Sequence, residues 1–241
     1  MGKRKINDFQ FKKFVITQQR STMRVNTDGV LLGAWVGLSD AGRILDIGTG
    51  TGVIALMAAQ RSPQAQVVGV EIDANSFADA DANASSSDYK DRVIMIHSSL
   101  QDFSSSYAGK FDHIVSNPPY FVSGTVSEQA GRAAVRHTVH LSFEDLVSCA
   151  LKLMSENGKF SLILPTVEGG QFSDLAVKSG FSLERLCHVY INPTTIGRVL
   201  MTFSFKSTAE PLIAEQIVIR QADGSYSKEY VQLTKDFYLN F

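Results

Sequence analysis

From Arg43 onward, five short runs of nearly continuous apolar residues alternate with helix-like stretches. The runs are RILDI (43–47), VVGVEI (67–72), RVIMIH (92–97), FDHIVS (111–116) and KFSLIL (159–164). A strand with one wet face alternates polar and apolar residues; these do not, so helices must cover both faces of the sheet they form. Helix-like segments fall at 52–61, 75–87, 100–106, 142–155 and 169–179. The βαβα order predicts an α/β fold with a parallel sheet and right-handed crossovers. Two more strands, SLERLCHVYI (182–191) and GRVLMTFSF (197–205), are separated by a connection too short for a crossover helix, and so pair antiparallel.

The expected result is a mostly parallel seven-stranded sheet ending in an antiparallel hairpin, with helices on both faces. Residues 215–241 read as a further strand, an Asp223-Gly224 turn and a terminal helix opened by Ser225 or Ser227. No repeat or interdomain linker interrupts the chain. It reads as one domain, with an N-terminal segment (1–42), a ligand-binding core (43–206) and a C-terminal extension (207–241).

Composition excludes several classes. With 44% hydrophobic and 20% charged residues the chain is ordinary for a globular protein. No run of 18 apolar residues occurs, and the basic start MGKRKINDFQFKKF lacks the apolar centre of an export signal, so a cytoplasmic protein is expected. Cys149 and Cys187 have no Cys-x-x-Cys spacing and read as buried thiols. The five histidines are scattered, so no metal site is expected.

The net charge of −1 is unevenly spread. Residues 1–24 hold Lys3, Arg4, Lys5, Lys12, Lys13, Arg20 and Arg24 against Asp8, a local +6. Charge alone leaves two readings open, a solvated tail or an arm that contacts phosphates. A long polar loop, FVSGTVSEQAGRAAVRHTVHLSF (121–143), carries Arg132, Arg136 and His137. It too is either a solvated loop or a phosphate-contacting one.

Three motifs carry chemistry. ILDIGTGTGVIAL places Gly48, Gly50 and Gly52 between the first strand and its helix, where glycines let a backbone approach a ligand and turn tightly. Asp46 precedes the first of them by two; it suits a ligand with an amino group and would be awkward beside a diphosphate. The second run ends in GVEID, placing Glu71 23 residues after Gly48, near the ~20 expected of an acid that accepts from ribose hydroxyls. Asp73 is the neighbouring candidate, equally placed to cap the next helix.

The third motif is Asn117-Pro118-Pro119-Tyr120, which leaves the fourth run. Two consecutive prolines remove two backbone donors. Asn117 Oδ1 and Pro118 O are thereby left as acceptors, and two acceptors side by side grip an NH₂ group. Binding both hydrogens favours a tetrahedral nitrogen with a localised lone pair. Tyr120 offers a flat face for stacking a base or planar amide.

With these motifs the chain resembles the class I S-adenosylmethionine-dependent methyltransferases of amino groups, whose Rossmann-like sheet ends in the same antiparallel hairpin. The resemblance implies S-adenosylmethionine as cofactor and Asn117, Pro118 and Tyr120 as the catalytic corner. The N-terminal block FQFKKFVITQQRSTMRVNTDGVLLGAW is similar to that of bacterial enzymes that methylate N6 of adenine 37 in a valine tRNA. It implies that Arg24, Thr27 and Asp28 lie over the methionine end of the cofactor. It also implies a tRNA anticodon loop as partner, contacted by Lys3, Arg4, Lys5, Lys12, Lys13, Arg132 and Arg136, and a monomer with no membrane. Relatives have an acid after the third strand that accepts from the cofactor's adenine; here Ser99 stands there, followed by Leu100, and either Ser99 or Asp102 fills the role. The competing readings are a protein-glutamine methyltransferase, a DNA adenine methyltransferase and a cofactor-binding RNA chaperone without turnover.

Overall fold

The computed structural model describes residues 8–38, 40–119, 141–205 and 211–241. Its centre is an eight-stranded sheet built from β3 (Arg43–Ile47), β4 (Gln66–Glu71), β5 (Val93–His97), β6 (Phe111–Ser116), β7 (Met154–Pro165), β8 (Ser182–Asn192), β9 (Thr195–Ser204) and β10 (Ile213–Val218). The order across the sheet is β10-β8-β9-β7-β6-β3-β4-β5, with only β9 antiparallel to its neighbours. The expected hairpin is β8–β9. The expected count of seven is corrected to eight, because the C-terminal strand does not stand apart but adds to the edge of β8 in parallel, Ile213 opposite Arg185.

Helices cover both faces. Along β3, Ile44 enters one core while Leu45 and Ile47 enter the other, as a period of two requires. The first core lies under α1 (Thr27–Trp35), α2 (Val53–Arg61), α3 (Ala74–Ser86) and α7 (Lys228–Thr234). The second lies under α4 (Leu100–Ser106), α5 (Phe143–Leu153) and α6 (Thr166–Lys178). Boundaries moved where glycine disguised them. Helix α6 starts at Thr166, ahead of the Gly169-Gly170 pair; an added Cβ at Gly169 would stand 2.2 Å from Val199 Cγ2, so close packing on β9 demands the glycine. Of the two candidate caps for α7, Ser227 is the one that accepts from Tyr230 N, at 3.0 Å.

The N-terminal segment forms structure of its own. Strands β1 (Asp8–Gln10) and β2 (Val15–Thr17) make a small antiparallel sheet. Helix α1 follows, capped by Asn26, whose side chain accepts from Gly29 N at 2.8 Å. It runs beside α2 in the same direction, for Gly29 faces Val53 and Gly33 faces Met57. An added Cβ at Gly33 would lie 2.7 Å from Met57 Sδ, so the glycine sets the closeness of the two helices. The start of α1 is therefore held at the end of α2 that carries the glycine loop. Among the described residues, no helix is long and apolar enough to cross a membrane.

Candidate functional site

The sheet reverses its winding between β3 and β6, and ligands of open α/β sheets bind beyond the carboxyl ends of strands at such a point. A cleft of about 220 Å³ lies there. Gly48, Gly50, Glu71, Leu100 and Asn117 all line it, so five of the site residues expected from sequence converge. Thr22, Met23, Ser98 and Gln101 join them, while Ile72 and Leu100 supply apolar wall.

The glycine loop is fixed from below. Gly48 N and Thr49 N donate to Val70 O at 2.9 and 3.1 Å, and Gly50 N donates to Glu71 Oε2 at 2.8 Å. All three glycines have positive φ, of 67°, 58° and 83°. Their surroundings differ. A Cβ at Gly48 or Gly50 would meet nothing within 4 Å, whereas one at Gly52 would come 3.1 Å from Met95 Cε and 3.5 Å from Ala80 Cα. The first two glycines thus leave space for a ligand, and the third lets α2 close onto α3 and β5.

Glu71 ends β4 and is 9% exposed. Its Oε1 accepts from Asp73 N at 2.9 Å, and each carboxylate oxygen keeps lone-pair capacity for a further donor. Asp73, the neighbouring candidate, also lines the cleft, and its Oδ1 caps α3, accepting from Ser76 N at 2.8 Å. Asp46 lies fully buried beneath the loop and does not line the cleft. Its Oδ2 accepts from Thr49 Oγ1 at 2.6 Å and Ala55 N at 3.1 Å, and its Oδ1 has no partner among the described residues. Burial pushes its carboxyl up to about 7, against the two hydrogen bonds, which favour the charged form.

Asn117 follows β6 directly, and Ser116 Oγ donates to Ile47 O at 3.0 Å, tying this end of β6 to β3. Among the described residues the Asn117 carboxamide makes no hydrogen bond, although it faces the cleft. Pro118 is buried and Pro119 lines the cleft. Tyr120, Lys3, Arg4, Lys5, Arg132, Arg136 and His137 lie outside the described residues.

Other expected residues have different surroundings. Ser99 caps α4: its Oγ accepts from Asp102 N at 3.0 Å and donates to Asp102 Oδ2 at 2.7 Å, so the two candidates for the cofactor's adenine engage each other beside the cleft. Asp28 pairs with Arg198 of β9 at 2.7 Å, Thr27 borders a second hollow, and Arg24 is exposed. Lys12 Nζ donates to Lys235 O at 2.5 Å and Phe241 O at 2.7 Å, while Lys13 is exposed.

Two residues that sequence reasoning missed hold the wall of the cleft. Asp79 Oδ2 accepts from Arg20 N and Ser21 N at 2.8 and 2.9 Å. Asn83 accepts from Thr17 N and donates to Thr17 O and Thr51 O, all at 2.9 Å. Both project from α3 and are almost wholly buried. They dock the segment that carries Thr22 and Met23. Among the described residues, no three His, Cys, Asp or Glu side chains gather in a metal-holding group.

This architecture matches known proteins. Residues 24–164 match the family model described as Methyltransferase small domain. A tRNA1(Val) (adenine(37)-N6)-methyltransferase of Pseudoalteromonas translucida is 41% identical over 97% of this chain and 99% of its own length. The protein of the same name from Yersinia pseudotuberculosis is 39% identical over 97% of this chain and 92% of its own. A solved structure of a predicted O-methyltransferase from Agrobacterium tumefaciens shares the fold, with a TM-score of 0.69, 20% identity and coverage of 87% of this chain and 96% of that one. The chain belongs to the methyltransferase small-domain family and, within it, to the tRNA1(Val) (adenine(37)-N6)-methyltransferases.

Proposed function

We propose that the cleft between the glycine loop and Asn117 is where this chain methylates N6 of adenine 37 in a valine tRNA, with S-adenosylmethionine as donor. The observation that carries the reading is the Asn117 carboxamide, without a hydrogen-bond partner among the described residues, in the same cleft as Gly48, Gly50 and Glu71. The residues present fit the cofactor. Open space over Gly48 and Gly50 admits a ligand against the backbone, Glu71 has acceptor capacity for ribose hydroxyls, and Ile72 and Leu100 suit the face of its base. When bound, the cofactor supplies a methyl group made electrophilic by a sulfonium.

Asn117 Oδ1 and Pro118 O accept the two hydrogens of the target amine. An amine conjugated to a purine is a poor nucleophile, and holding both hydrogens draws the nitrogen toward a tetrahedral form. The proton leaves after positive charge has formed on nitrogen, so no strong base is required beside it. Tyr120 stacks on the extruded base, as aromatics do in sites that act on unstacked bases. Of the expected basic residues, Lys3, Arg4, Lys5, Lys13, Arg132 and Arg136 hold the phosphates of the anticodon loop, while Lys12 is engaged by the carbonyls of Lys235 and Phe241; the enzyme works as a monomer in the cytoplasm. Thr27 and Asp28 open α1, and Arg24 stands ahead of its cap, next to the wall residues Thr22 and Met23.

Incubation with methyl-labelled S-adenosylmethionine tests this. Label should enter in vitro transcribed valine tRNA and fail to enter the same tRNA with guanine at position 37. Label in a release factor, with none in tRNA, would instead mark a protein-glutamine methyltransferase.

A further inference from the structure

Beside the cleft lies a second hollow, of about 550 Å³. Val25, Asn26 and Thr27 border it, whereas Thr22 and Met23 border the cleft. The two concavities are thus separated by a few residues of one segment, and two residues of extended chain span about 7 Å. The hollow's other walls come from β1 and from the C-terminal extension, neither of which the reading of the cleft uses.

Its lining is aromatic. Tyr226 and Tyr230 stack with centroids 5.2 Å apart and planes 19° from parallel, and Phe241 meets them edge-on at 5.0 and 5.9 Å. Tyr226 is 41% exposed. Its loop is held rigidly, for Ser227 Oγ donates to Val218 O and Gln221 N to Ser225 O. Arg220 lies over Tyr226, 4.2 Å from the ring centroid. Its guanidinium donates to Gly224 O and Tyr226 Oη, leaving other N–H donors for an anion.

Polar groups point to what the aromatics accept. Gln10 and Asn240 place exposed amides on the lining. Asp8, also in the lining, has a buried Oδ1 with no partner among the described residues, an acceptor that lacks a donor. Aromatic rings, amides, an acceptor with no donor among the described residues and a cation over Tyr226 are the groups that receive a nucleobase and its phosphate.

We infer that this hollow is a stacking site for a base of the substrate tRNA other than the methylated adenine, held while position 37 occupies the cleft. The inference rests on the reading of the cleft as a tRNA adenine methyltransferase site. It adds that substrate recognition extends to the C-terminal extension.

The test measures binding of an anticodon stem-loop by fluorescence anisotropy, which requires no turnover. With the parental protein, removing one loop base other than that at 37 to leave an abasic site should weaken binding about 5- to 150-fold, the range for loss of one stacked base. Tyr226→Ala should weaken binding of the intact stem-loop by a similar factor. The abasic RNA should then bind Tyr226→Ala no more weakly than the intact RNA does. Asp8→Asn, which leaves the rings in place, gives a second protein variant and should also weaken binding of the intact RNA.

Equal affinity for every abasic RNA, or losses that add fully between protein and RNA, would overturn the stacking site; the hollow would then serve a partner other than RNA. Methyl transfer by the parental protein to the stem-loop checks the reading of the cleft separately. Transfer without any abasic effect sinks this inference alone.

Discussion

The carboxylate of Glu71 accepts the backbone N–H of Gly50 at 2.8 Å, so the acid at the end of β4 and the loop at the end of β3 are one hydrogen-bonded unit. A ligand that meets Gly50 in the cleft therefore lies next to the Glu71 carboxylate. Glu71→Ala strips acceptors from Gly50 N and Asp73 N as well as from the ribose, and cofactor affinity should fall by roughly 1–3 kcal/mol. Glu71→Gln keeps one carbonyl oxygen and should lose less. Titration calorimetry with S-adenosylmethionine measures both; an unchanged Kd for the alanine variant removes Glu71 from the site.

The three loop glycines should separate into two kinds. At Gly48 an alanine meets no neighbour, so it costs only the left-handed backbone strain of about 1–2 kcal/mol, yet it fills space that the ligand needs. At Gly52 the same change adds a clash with Met95 and Ala80. Gly52→Ala should lower Tm more than Gly48→Ala, and Gly48→Ala should lose cofactor affinity while remaining folded. Thermal melts paired with ligand titration decide it, and a Gly48→Ala protein that binds as the parent does would refute the assignment.

Asn117 should act on the chemical step. Its carboxamide has no partner to lose among the described residues, so Asn117→Ala should leave stability nearly unchanged. By analogy with removal of one preorganised electrostatic group, kcat should fall about 10²- to 10³-fold. Asn117→Asp keeps an acceptor and should retain part of the rate. Single-turnover measurements on valine tRNA are the check, and a folded alanine variant with the parental rate would make the corner only a turn.

Asp46 ties stability to pH. Burial raises its carboxyl from 3.8 to about 7, so between those values the folded chain binds a proton that the unfolded chain has released. Asp46 therefore favours folding less as pH rises from about 4 to about 7, and contributes no further slope above that. Asp46→Asn should flatten this part of the stability curve, read from urea midpoints at several pH values. An identical slope in the variant would place the proton elsewhere.

The strands were legible because burial on both faces writes nearly continuous apolar runs, and the cleft was legible where glycines and a proline pair mark special backbone. Other features leave no such trace. The segment GVLLGAW of α1 is buried on every side, so it carries no amphipathic period by which to find the helix. In α3, ANSFADADANASS looks like a solvated helix, yet Asp79 and Asn83 are buried because their partners are backbone groups of Thr17, Arg20 and Ser21, some 60 positions away. Polar burial of this kind is invisible until the chain ends are placed. The partner of β10 was hidden for a similar reason: an apolar run says that a strand forms, and not which edge it joins. Ser99 and Asp102 looked like alternatives, and a three-residue helix cap makes them a pair.

Lys12 holds the carbonyls of Lys235 and Phe241, Lys12 N donates to Phe237 O, and Phe11 pairs with Tyr238. Residues 11 and 12 therefore gain these contacts only once residues 235–241 are in place. Domains fold as units during synthesis, and here the glycine loop and Asn117 emerge long before residues 235–241. During synthesis residues 17–21 can dock on Asp79 and Asn83 well before residues 235–241 bind residues 11 and 12, so the two supports of the N-terminal segment form at different times.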